Sequence, residues 1–156
     1  MRAVFHAAAW VDRPKNKPLA VEMLGRSEHL SVSQDLIDPA LSAQLVTKLG
    51  AKPNSIDRFL QFHQHAVNFP WRSQAAWIAK QLGADAQGLE KAKACFRSDL
   101  YRRNLSGIGV DMPGASEKEE GAIHRETAVA SSRGQMILAP DAFFDGKVFG
   151  FGPEGA

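Results

Sequence analysis

Asn68-Phe69-Pro70-Trp71-Arg72-Ser73 restricts the fold more than any other stretch, because a segment that cannot be helical runs straight into Gln74–Leu82, which favours a helix. Pro70 fixes its own φ and biases Phe69 towards an extended conformation. The Ser73 hydroxyl is expected to accept a hydrogen bond from an unpaired N–H at the helix start. Ala76, Trp77, the Lys80 stem and Ile78 supply side chains to cover one side, and Gly83 stands where a left-handed C-terminal cap is expected. Burying Trp71 and Trp77 would stabilise the fold by roughly 2 to 3 kcal/mol each, which places the junction in a core or along a cleft.

Around this junction the chain reads as mainly helical. Residues 2 to 12 carry Val4, Phe5, Ala8, Ala9 and Trp10 at helical spacing before Pro14. That helix is strongly apolar and starts without a cap, like the later part of something longer. Asn16 is a candidate cap for a second helix with Pro18 in its first turn and Gly25 at its end, so the two suggest a helix pair. Between Ser31 and Leu45 two short helices are expected, opened by Ser33 and Asp38 and separated by Pro39. Ile56, Phe59, Leu60, His63 and Val67 recur at helical spacing and predict about three turns leading to Pro70. Residues 86 to 95 form a further helix, and Ser98 is expected to cap one carrying Leu100, Tyr101 and Leu105.

The character then changes. Residues 112 to 121 are polar and charged and read as a surface loop. Met136-Ile137-Leu138 and Val148-Phe149-Gly150-Phe151 are short apolar runs separated by Pro140 and Asp145-Gly146, which predicts extended segments joined by turns. The organisation read from the sequence is a single domain over 1–156, with a helical part at 2–107, a loop at 108–121 and a turn-rich tail at 122–156.

Bulk properties remove several function classes. Hydrophobic residues at 44% and charged residues at 23% are globular proportions. A net charge of +2 with scattered basic residues does not argue for nucleic acid. The single cysteine, Cys95, excludes an internal disulfide framework. The apolar run at the N-terminus is interrupted by His6 and is too short for a normal leader. No run approaches the ~20 apolar residues that span a bilayer. The chain therefore reads as one without an export signal or membrane insertion.

No constellation suggests catalysis or a cofactor. His63 and His65 lie two apart, so on a helix they point about 200° from one another and cannot share a metal ion. The expectation is one packed and one solvated histidine. Cys95 lacks an obvious base and reads as a small buried hydrophobe. Glu117, Glu119 and Glu120 sit in the charged loop, where solvation is the default and general acid–base work would need convergence. Phosphate-cradling glycine loops and nucleophile elbows are absent from the sequence. Arg72 is the polar residue of most interest. At a helix entrance its guanidinium can face an anion, or it can pair with a carboxylate or stack on Trp71 to stiffen the junction.

The hexapeptide at 68–73 and its tryptophan-bearing helix resemble the C-terminal region of the nitrate- and bicarbonate-binding proteins of ABC transporters and their cytoplasmic nitrate-sensor relatives. Ala9-Trp10 and the stretch ending at Met23-Leu24 precede it in the same order. Phe96-Arg97-Ser98-Asp99-Leu100-Tyr101-Arg102 and Phe144-Asp145-Gly146-Lys147-Val148-Phe149 follow, so the similarity covers nearly all of 3 to 152 and only the last part of a family member. The resemblance implies a mainly α fold with a short extended C-terminal segment, as a fragment of a two-lobed α/β periplasmic-binding-protein-like structure. It also implies a small oxyanion (nitrate, nitrite or bicarbonate) as ligand and a transporter membrane subunit or regulatory protein as partner. Trp71 and Arg72, from their place at the helix entrance, are the cleft-edge candidates for ligand binding.

The family's anion-contacting positions fall mostly upstream, so binding by this part alone is not expected. The alternative is a stand-alone helical interaction module derived from the family, including a homo-oligomer. A small enzyme unrelated to transport would need a converged polar site. Cytoplasmic and exported origins both fit the sequence.

Overall fold

In the computed structural model, residues 1–150 are described. Phe151, Gly152 and Gly155 of the turn-rich tail lie outside them. The contacts fall into two compact units, Ala3–Val67 and Met1–Arg2 with Asn68–Ala156.

The first unit contains helices α1 (Arg2–Val11), α2 (Lys17–Leu24) and α3 (Gln34–Ser42). Its core is Ala20, Val21, Ile37 and Leu41, with Trp10, Val11 and Leu24 packed against it. α1 and α2 form where the apolar spacing predicts them. Asn16 sits at the start of α2 without capping it, because its Nδ2 donates to the Trp10 carbonyl at 2.7 Å. Gly25 ends α2 at a right-handed φ of −71°.

α3 is one helix, not the two expected. Ser33 caps it by accepting from the Asp35 N–H, and Pro39 lies inside. Losing one backbone donor and straining one turn is offset by burial of Ile37 and Leu41 two residues to either side. A two-stranded antiparallel pair follows, β1 (Gln44–Leu45) with β2 (Asn54–Ser55).

The helix expected over 56–67 does not form. Only a single 3-10 turn, Gln64–Ala66, appears there, and Arg58, His65 and Ala66 have left-handed φ values. Asp12 supplies the reason. Its carboxylate accepts from the backbone N–H groups of Phe62, His63 and Gln64 at 2.9, 2.8 and 3.2 Å, taking donors that a helix would have used internally. Phe59, Leu60, Phe62 and Val67 stay substantially exposed, so their spacing never becomes a buried face.

The second unit holds α4 (Arg72–Gln81), α5 (Ala86–Cys95), α6 (Ser98–Leu105) and an antiparallel pair, β3 (Thr127–Ala128) with β4 (Ile137–Leu138) in the register Thr127↔Leu138. Its interior is built from Phe69, Trp71, Ala75, Ala76, Tyr101, Leu105, Met112, Met136 and Leu138. Gly83 takes φ +81° and the Ala84 N–H returns to the Ala79 carbonyl, the expected left-handed close of a helix. α4 buries Ser73, Ala75 and Ala76, while Ile78 is largely exposed.

The cap of α4 is Trp71, not Ser73. Ser73 lies two residues further in, buried, where its hydroxyl serves tertiary partners. At α6 the cap is Arg97, and Ser98 is the buried first residue of the helix. The stretch 112–121 is also not a simple surface loop. Met112, Pro113, Glu120 and Gly121 are buried, and Glu120 exchanges backbone hydrogen bonds with Phe149 at 2.8 and 2.9 Å. Charge predicted exposure, but Glu120 finds partners inside.

Candidate functional site

The entrance to α4 is built from aromatic rings. Phe69 packs edge-on against Trp71 at 4.9 Å and against Tyr101 at 5.2 Å between centroids. The Arg102 guanidinium lies 5.0 Å over the Phe69 ring. Trp71 keeps 4% of its surface exposed, so its ring belongs to the interior. Pro70 and an extended Trp71 (φ −66°, ψ 118°) then turn the chain so that Arg72, the first helical residue, points away from that core.

Arg72 lines an open cavity of about 560 Å³ together with Lys93, Phe96, Arg97, Arg102 and Ser116. Its backbone N–H is spent on the Ser116 carbonyl at 2.9 Å. Its Nε stands 3.6 Å from Glu117 Oε1, an ion-pair separation longer than a hydrogen bond. Lys93 reaches the other Glu117 oxygen at 3.4 Å and Glu90 at 3.1 Å. The Glu90 hydrogen bond, aided by Glu117, raises the Lys93 pKa.

Arg97 forms a two-pronged pair with Asp99, at 2.8 and 2.7 Å, which holds the Asp99 carboxyl well below the usual carboxylate range. Arg102 differs from the others. It donates to the carbonyls of Pro113 and Ala115 and to Ser116 Oγ, all neutral acceptors. The four cations thus face three carboxylates, Glu90, Glu117 and Asp99, and one positive charge is left uncompensated. Such a wall can attract and orient a negatively charged group.

Of the residues singled out from the sequence, Arg72 lines the cavity, whereas Trp71 is buried in the core and does not line it. The acidic partner expected as one option for Arg72 is Glu117. Lys93, Arg97 and Arg102 join the wall without having been singled out for it; the Arg97 to Arg102 motif was the available signal. Cys95 is exposed, not buried, because α5 buries none of its residues. His63 and His65 are both half-buried, with His63 edge-on to Phe5 at 4.7 Å. Among the described residues no group of three His, Cys, Asp or Glu side chains is arranged to hold a metal ion, and no helix is long and apolar enough to cross a membrane.

No protein-family model and no curated protein sequence matches the chain. The structure is similar to the crystal structure of the periplasmic nitrate-binding protein NrtA from Synechocystis PCC 6803, with a TM-score of 0.60 and 19% sequence identity. The match covers 74% of this chain and 33% of that one. The neighbour is a binding protein rather than an enzyme, and the chain spans about a third of its length. The fold is therefore mainly α with a short extended C-terminal segment, and it corresponds to part of a periplasmic-binding-protein-like structure.

Proposed function

We propose that the chain is the C-terminal part of a nitrate-type substrate-binding protein, serving an ABC transporter or a nitrate sensor, and that it contributes one wall of a small-oxyanion site. Arg72 is the cation of that wall. Trp71, the residue that caps α4, serves the site by fixing the entrance to that helix. The observation that carries this reading is the position of Arg72 on an open, net-positive cavity within a fold similar to a nitrate-binding protein.

One wall offers only part of the donors a small hydrated anion needs to replace its water. Nitrate, nitrite and bicarbonate therefore bind this chain weakly, and full affinity requires a facing lobe. α1 supports the same reading: none of its residues is buried and Val4 is 71% exposed, although the helix is apolar. The same exposed helix also favours a second reading, an interaction module that uses this face for a regulator, a transporter subunit or a second copy.

Isothermal titration with the three anions, with sedimentation on the same sample, tests both. A monomer with Kd of about 1 mM or weaker, weakened further by Arg72→Gln, is the expected result. Identical responses of the parent chain and Arg72→Gln would overturn the role of Arg72, and sub-millimolar nitrate binding would overturn the partial-site reading. A stable dimer without Arg72-dependent binding would favour the interaction module.

A further inference from the structure

We propose that the cavity between α4, α5 and α6 binds an organic monocarboxylate with an apolar body much larger than nitrate, its carboxylate held by Arg97 and Arg72. The inference rests on the reading of Arg72 as an anion-facing cation and names a ligand class for that same wall.

Size is the first argument. A water molecule takes up ~30 Å³, and nitrate is of the same order, so beside an anionic group held by the cations a cavity of about 560 Å³ keeps room for an apolar body. Its volume falls in the range of sites for small organic molecules. Ala94 and Phe96 line it alongside the cations and offer apolar surface to a ligand body.

Charge is the second. The wall carries one uncompensated positive charge, which matches one carboxylate. Arg102 brings that charge, yet its donors are committed to Pro113, Ala115 and Ser116. The contacts fall instead to Arg72 and Arg97.

Geometry is the third. Arg97 already presents its fork to a carboxylate, that of Asp99, with two near-equal bonds of 2.8 and 2.7 Å. Both side chains of this pair are more than half exposed, so the guanidinium is within reach of an incoming carboxylate, which has to displace a two-pronged partner. A ligand carboxylate takes the place of Asp99 on the guanidinium, and Asp99 acts as an internal competitor.

The test is titration of the full chain with acetate, naphthoate and nitrate, comparing the parent with Arg97→Gln, Asp99→Asn and Arg72→Gln, each checked for folding by circular dichroism. Naphthoate is expected to bind about tenfold more tightly than acetate through the added apolar contact. Arg97→Gln should weaken naphthoate several-fold, and Asp99→Asn should tighten it by freeing Arg97. Naphthoate binding no tighter than acetate, or insensitive to both changes at the Arg97–Asp99 pair, overturns the inference. In that event, a nitrate response still reduced by Arg72→Gln leaves the oxyanion reading standing. Loss of Arg72 dependence for nitrate alone, with the naphthoate pattern intact, overturns only the latter.

Discussion

Ser73 Oγ donates to Glu120 Oε1 across 2.6 Å in the interior of the second unit, although 47 residues separate them. The same hydroxyl accepts from the Lys118 N–H at 3.0 Å, and Lys118 Nζ bridges Glu120 Oε2 at 2.5 Å and the Asp141 carboxylate. This network ties the charged stretch 116–120 to the first turn of α4, next to Arg72 in the chain. Removing the hydroxyl in Ser73→Ala leaves Glu120 one donor short and should cost about 1 to 3 kcal/mol. Glu120→Ala strips both Lys118 and Ser73 of a buried partner, for an expected loss of about 3 to 5 kcal/mol. Urea-unfolding midpoints give the order: parent, Ser73→Ala, then Glu120→Ala as least stable.

Two glycines of the second unit share a left-handed φ and differ in what surrounds them. At Gly83 nothing lies within 4 Å of an added Cβ, whereas at Gly121 the Cβ would meet the Phe143 ring at 2.6 Å and the Lys147 carbonyl oxygen at 2.7 Å. Gly83→Ala carries only the conformational penalty, about 1 kcal/mol. Gly121→Ala adds a clash with backbone and should cost at least about 2 kcal/mol more. Equal midpoints for the two variants would contradict this arrangement.

Tyr101 is the chain's single tyrosine, and burial pushes its phenol up to about 12. In the unfolded chain it ionises near 10. The folded state therefore keeps a proton that the unfolded state releases. The resulting stability is fully present below pH 10 and is lost as pH rises towards 12. Near-ultraviolet phenolate absorbance should show one titration near 12 in the folded protein and near 10 in urea. Tyr101→Phe removes this alkaline limb and gives up the hydrogen bond to Asn68, at about 0.5 to 1.5 kcal/mol.

Phe69 sits at the meeting point of Trp71, Tyr101 and Arg102 and is 2% exposed. Phe69→Ala should lose about 3 to 5 kcal/mol. Phe144, fully exposed, is the control: Phe144→Ser should stay within about 0.5 kcal/mol of the parent. Thermal melts of the two variants distinguish a packed aromatic from a surface one.

In the first unit, Asp12 closes the segment 56–67 through three backbone N–H groups. Asp12→Ala should leave these donors to water and loosen the segment. The expected readout is faster cleavage within 56–67 under limited proteolysis, with the core of Ala20, Val21, Ile37 and Leu41 retained. An unchanged cleavage pattern would contradict Asp12 as the anchor.

Local chemistry made much of this fold legible. The Pro70 switch, the Gly83 close, the Ser33 cap and the helices at 2–11, 17–24, 72–81, 86–95 and 98–105 follow from residues acting on their immediate neighbours, and the mainly helical class with a short extended end follows from them. The rest depended on partners far along the chain. Helical spacing over 56–67 lost to Asp12, the expected cap Ser73 was drawn inward by Glu120, and Glu120, in a stretch charged enough to read as surface, was buried because Lys118 pairs with it and Ser73 donates to it. The candidate site divides in the same way. Arg72 was visible because it follows a helix-opening proline. The cavity it lines was not, since Lys93, Arg97 and Arg102 meet it only once α4, α5 and α6 have packed. Backbone preferences act over a few residues and can be read in order, whereas the pairing of a buried charge is decided by whichever side chain the tertiary fold brings within hydrogen-bonding distance.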